Sequence, residues 1–121
     1  MAFSTSAADA LKFRFRKTGG AKMVMRIAVW RDPGTPQQER VRLLFVGSAP
    51  SKVETPAPLE ALGAGKYQVV AVIMVEEAVS GTYDYEASLN GHVFAARSGD
   101  VNTSAGLDVE PFIHRENLTV T

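Results

Sequence analysis

The chain has 121 residues, 45% of them hydrophobic, with 13 basic and 13 acidic side chains and no cysteine. Its length suits one domain able to hide about two-thirds of its unfolded surface in a single core. The missing cysteines exclude disulfides, thiolate nucleophiles, zinc-thiolate sites and iron-sulfur clusters.

Formal net charge is zero but unevenly spread: through Arg31, seven basic residues stand against Asp9 alone. Two halves that lie together and neutralise would explain this, as would an anionic partner for a basic surface of Lys12, Arg14, Arg16, Lys22 and Arg26. Residues 1–10 lack the basic start and apolar run of a secretory signal. The longest apolar run, Val69 to Val75, is far short of the roughly 20 residues of a spanning helix. The expectation is a single cytoplasmic domain over 1–121 with no membrane partner. On that reading the sequons Asn102-Thr103-Ser104 and Asn117-Leu118-Thr119 are coincidental.

In chain order, Leu11 to Arg16 alternates apolar and basic residues, the period of a strand with one dry face. Lys22 to Trp30 is a second strand, with Met23, Met25, Ile27 and Val29 on one side and a largely apolar second side. Asp32-Pro33-Gly34 stops it with turn chemistry. Val41 to Val46 is a third strand, bounded by Gly47. Pro50, Pro56 and Pro58 then reduce the chain to an edge segment or loop, because proline cannot donate to a ladder. Pro58 to Gly63 has the makings of one helical turn.

Lys66 to Glu77 is the strongest strand, apolar on both faces through Tyr67, Val69, Ala71, Ile73 and Val75 and through Val70, Val72 and Met74, as suits mid-sheet. Thr82 to Leu89, Asn90-Gly91 and His92 to Ala96 spell a hairpin with a two-residue turn. Val109 to Ile113 and Leu118 to Val120 are candidate short strands.

The hairpin register sets Leu89 opposite His92, Ala87 opposite Phe94, Tyr85 opposite Ala96 and Asp84 opposite Arg97, with an Asp84–Arg97 pair across the strands. Tyr83, Tyr85, Ala87, Leu89, Phe94 and Ala96 share the apolar side. His92 therefore points away from Asp84 and Glu86, which argues against a metal site; it is read as a half-exposed residue capping the core near the turn, and His114 as a loop or strand-end histidine. An odd-length loop through Thr18-Gly19-Gly20 would align Phe15 with Met23 but also set Arg16 against Lys22 and Lys12 against Arg26. Either these strands lie in different sheets or acid such as Glu76, Glu77 or Glu86 neutralises them; the acid is preferred.

Catalytic signatures are not found. Gly63-Ala64-Gly65-Lys66 lacks the first glycine of a phosphate loop, and Tyr67 stands where a magnesium-binding hydroxyl belongs. Glu76 and Glu77 fall on opposite strand faces, unlike a glycosidase pair. The expectation is no enzyme, no metal and no cofactor. Nucleic acid is not expected either, because Phe13 and Phe15 face away from Lys12, Arg14 and Arg16.

Strands joined by turns predict an all-β, antiparallel β-sandwich, immunoglobulin-like or of a related Greek-key arrangement. Ser80-Gly81-Thr82-Tyr83-Asp84-Tyr85, with Trp30 upstream, resembles the tyrosine-corner strand of immunoglobulin-like domains. The resemblance implies that Tyr83 takes the corner, Trp30 is the core tryptophan and Tyr85 stands where antibody domains carry the second cysteine. It also implies an adhesive or scaffolding role. The functional expectation is a non-catalytic interaction or assembly domain, self-associating as a homo-oligomer through a sheet face or edge. The alternative is a carbohydrate- or small-ligand-binding sandwich with Trp30, Arg31, Tyr67 and His92 at its contact surface.

Overall fold

The computed structural model describes residues 2–19, 22–46, 52–76, 81–101 and 109–121. Gly20, Gly47, Pro50, Glu77, Ser80 and the sequon at 102–104 lie outside them. The described residues form nine strands: β1 (Ala2–Thr5), β2 (Phe13–Thr18), β3 (Lys22–Arg31), β4 (Glu39–Val46), β5 (Lys52–Glu54), β6 (Gly65–Glu76), β7 (Gly81–Leu89), β8 (His92–Val101) and β9 (Val109–Val120). Sheet order is β1-β9-β6-β3-β4 in one sheet and β5-β2-β7-β8 in the other. All pairings are antiparallel except β1 with β9. The molecule is an all-β sandwich, as composition and patterning predict. No helix among the described residues is long and apolar enough to cross a membrane.

Period-two alternation puts one face of each strand in the core. Phe13, Phe15, Tyr83, Tyr85, Ala87 and Leu89 come from the four-stranded sheet. Met23, Met25, Ile27, Val29, Val69, Ala71, Ile73 and Val75 meet them from the five-stranded one. Each large apolar side chain sealed this way contributes about 1.5–3 kcal/mol, the main term holding the sheets together.

Several expectations need correction. The strands before and after Gly19 are not a hairpin: β2 pairs with β7 and β5, and β3 with β4 and β6. Lys12 and Arg26 are thus on opposite sheets, and Arg16 finds acid in Asp84 at 3.2 Å and Glu86 at 3.7 Å. Pro58 to Gly63 forms no helical turn; Leu59 bridges to Leu11 instead. The two expected segments near the C-terminus are one twelve-residue strand, β9.

The Asn90-Gly91 turn forms with φ of 47° and 84°, the type I′ signature, and Leu89 faces His92. Beyond it a β-bulge intervenes. Ser88 pairs with Val93 but Ala87 with Ala95, so Phe94 is the additional residue. Every later pairing shifts by one, and Tyr85 faces Arg97 while Asp84 faces Ser98. Ala95 joins Phe94 in the core, and Ala96 is exposed. The expected Asp84–Arg97 pair does not form; Arg97 lies 4.2 Å over the Phe112 ring and donates from Nε to Tyr83 Oη at 3.4 Å.

The roles implied by the immunoglobulin-like resemblance are also distributed differently. Trp30 is half-buried on the outside of the five-stranded sheet. The hydroxyl that bonds to backbone just upstream belongs to Tyr67, which donates to the Gly63 carbonyl at 2.7 Å.

Candidate interaction face

The outer surface of the five-stranded sheet is built by the second faces of β3 and β6. In one row across four strands, Ile113 of β9 pairs with Val72 of β6, Val72 with Arg26 of β3, and Arg26 with Phe45 of β4. The next row runs Arg115, Val70, Ala28, Leu43. On the other side, Val24 pairs with Met74. Phe45 is 66% and Ile113 50% exposed, and Val24, Leu43 and Met74 are exposed as well. Contiguous exposed apolar side chains on this scale mark contact surfaces; scattered ones do not. At its centre a hollow of about 160 Å³ is lined by Arg26, Ala28, Trp30, Val70 and Val72.

The outer surface of the four-stranded sheet is chemically opposite. Arg14, Arg16, Asp84, Glu86 and Ser88 occupy it, with Arg16 bridging both acids. Val53 and Val93 are isolated exposed apolar residues there. One outer face is therefore suited to water, and the other carries an apolar patch.

A polar seam closes the side of the sandwich where β8 and β9 meet. His92 Nε2 lies 2.6 Å from Glu116 Oε1, and its ring stacks on Phe3 at 4.1 Å. Glu116 is only 8% exposed, so His92 is the partner that makes its burial tolerable. Farther along, Tyr85 Oη lies 2.7 Å from His114 Nε2. Burial, partly offset by Arg97, pushes the Tyr85 hydroxyl up to about 12. Burial and then the Arg97 charge push His114 below its ordinary value. Both shifts favour the neutral pair, in which Tyr85 donates to an unprotonated His114. Such a pair locks the sheets together and holds its proton tightly, the reverse of an activated phenolate.

The expected ligand-contact residues do not share a cleft. Trp30 lines the hollow, Arg31 is paired with Glu39 beside the β3–β4 turn, and Tyr67 is buried. His92 is engaged in the seam. The expected basic surface is likewise divided, with Arg14 and Arg16 in β2 of one sheet, and Lys22 and Arg26 in β3 of the other. Lys12 lies just before β2, at the β7–β8 turn. Lys17, from the same basic stretch, is fully buried and engaged by a partner. Among the described residues no three His, Asp or Glu side chains gather as metal ligands.

Sequence reasoning missed Glu116, Phe45 and Ile113 as site residues. The two-sided apolar pattern of β3 and β6 was the available signal for the face; nothing local marked Glu116, which lies 24 positions from His92. Comparison of the chain with protein families, with curated proteins and with solved structures finds no match.

Proposed function

We propose that this protein is a non-catalytic assembly domain whose five-stranded sheet packs face to face on a second copy. The observation that carries the reading is the contrast between the outer faces: one ion-paired and solvated, the other an apolar surface across β9, β6, β3 and β4. A second copy offers a surface of the same shape and polarity, and two twisted sheets pack with strands within about 30° around a two-fold axis. Four strands over six or seven residues cover roughly 20 by 20 Å in projection. That supports an interface at the low end of stable sizes and a dimer of about micromolar affinity. Arg26 interrupts the patch and must reach water or acid at the partner's rim, which limits the registers available.

An immunoglobulin-like arrangement belongs to the same reading. It is supported by the Tyr67–Gly63 bond, the kind a tyrosine corner makes, and by two sheets packed face to face.

Sedimentation equilibrium at tens of micromolar tests the proposal. The expected result is a dimer that becomes monomeric in the Phe45→Lys/Ile113→Lys variant, which alters two exposed residues at opposite margins of the patch. A wild-type chain that stays strictly monomeric, or a dimer indifferent to that variant, overturns it.

A further inference from the structure

After β5 the chain leaves β2 and rejoins it a few residues later. Glu54 pairs with Phe15, and Leu59 returns to Leu11, each donating to the other's carbonyl at 2.9 and 3.0 Å. Between these points lie Pro56 and Pro58, which have no N–H to give a ladder. The segment bows outward and leaves an open groove of about 970 Å³ along Lys12, Phe13 and Arg14, walled by Thr55, Pro56 and Pro58. Ala8 to Ala10 and the Asn90-Gly91 turn close its end.

Two properties of this groove point to one class of occupant. Strand alternation turns the backbone groups of residues 11, 13 and 15 to the same edge. Leu11 uses its own on Leu59, while the N–H and C=O of Phe13 find no backbone partner on that edge among the described residues. Lys12 and Arg14, two positions apart and both exposed, project to one side of the strand. Neither forms an ion pair among the described residues, whereas Arg16, the next in the series, is bridged to Asp84 and Glu86.

We propose that the groove accepts an extended acidic peptide segment of a partner protein, one residue of which takes the open ladder position of β2 at Phe13, between the Leu11–Leu59 bridge and the Phe15–Glu54 pair. Phe13 supplies one donor and one acceptor to the peptide backbone, and carboxylates two residues apart on the peptide meet Lys12 and Arg14. Asp9, at the closed end, disfavours an acid there. A nucleic-acid strand fits less well, because Phe13 is buried and no aromatic face is offered to a base. This site lies on the sheet opposite the proposed dimer face and does not depend on it.

The probe is a fluorescein-labelled Glu-Thr-Glu-Thr-Glu-Thr peptide, titrated with the full chain and followed by anisotropy at about 50 mM salt, where exposed charges are least screened. Saturable binding is expected, weakened about tenfold or more in Lys12→Ser/Arg14→Ser, whose fold is checked by circular dichroism. N-methylation of the central residues of the peptide should cost a similar factor, because it removes the N–H that donates to the Phe13 carbonyl. Absence of binding, or equal binding by the Lys-Thr peptide, overturns the proposal. So do an indifferent double variant, an indifferent N-methylated peptide, and full displacement by inorganic phosphate at like concentration, which would mean a simple oxyanion site.

Discussion

Asn90 holds both backbone groups of Lys12: its N–H donates to the Lys12 carbonyl at 2.9 Å, and its Oδ1 accepts from the Lys12 N–H at 2.8 Å. Its Nδ2 also donates to Thr5 Oγ1 at 2.9 Å, so one turn residue joins β1, β2 and the β7–β8 hairpin. Its φ of 47° is left-handed, which asparagine tolerates better than alanine. Asn90→Ala should therefore destabilise by about 2–3 kcal/mol, combining strain with lost hydrogen bonds. Asn90→Gly relieves the strain and should cost roughly 1 kcal/mol. Urea titration of the two variants separates the contributions.

The His92–Glu116 contact should respond unequally to its two deletions. His92→Ala strands a buried carboxylate and removes the ring stacked on Phe3, for an expected loss of about 2–4 kcal/mol. Glu116→Gln removes the charge but keeps a hydrogen-bonding group of similar size, and should cost under about 1 kcal/mol. Thermal melts of both variants provide the comparison; equal losses would mean that the carboxylate is not held by His92.

The neutral Tyr85–His114 pair makes stability depend on pH at both ends of the range. Tyr85 has its folded value raised, so its contribution is whole below pH 10 and is lost as pH climbs through about 12. His114 has its folded value lowered, so stability falls as pH drops below about 6.5, where the unfolded chain takes up a proton first. Tyr85→Phe should flatten the alkaline limb and His114→Gln the acid limb, read as midpoint shifts in urea titrations across pH.

Gly19 has a φ of +102°, and a Cβ added there would lie 2.2 Å from the Thr82 carbonyl oxygen. Backbone, not a movable side-chain tip, blocks the space. Gly19→Ala should cost on the order of 3 kcal/mol or more and lower the melting temperature accordingly, whereas Gly63→Ala, with open space around it, should change little.

Alternation made the cores of β2, β3, β6 and β7 legible, because burial of every second residue leaves its mark directly in the order of side chains. It does not say which sheet a strand joins: the same alternation fits Phe15 beside Met23 in one hairpin, whereas the two pack from opposite sheets. Ala2 to Thr5 is too short and polar to announce a strand; β1 exists because the last four residues of β9 offer it an edge. The bulge at Phe94 left no mark either, since no glycine or proline accompanies it. His92 meets Glu116 only through the stacking of two sheets, a relation that chain spacing does not encode. The prolines mark the stretch after β4 as unfit for a central strand, β5 lies at a sheet edge, and the groove beside β2 is the space that unfitness leaves.

The bulge also explains how β8 serves the side of the molecule that it shares with β9. In an unbroken strand positions 92 and 97 look in opposite directions, because an odd number of steps separates them. One surplus residue reverses the phase halfway along, so His92 and Arg97 both turn inward, one onto Glu116 and the other onto Phe112. Deleting Phe94 would send one of these two latches out into solvent, and the sandwich would lie unfastened along half of that flank.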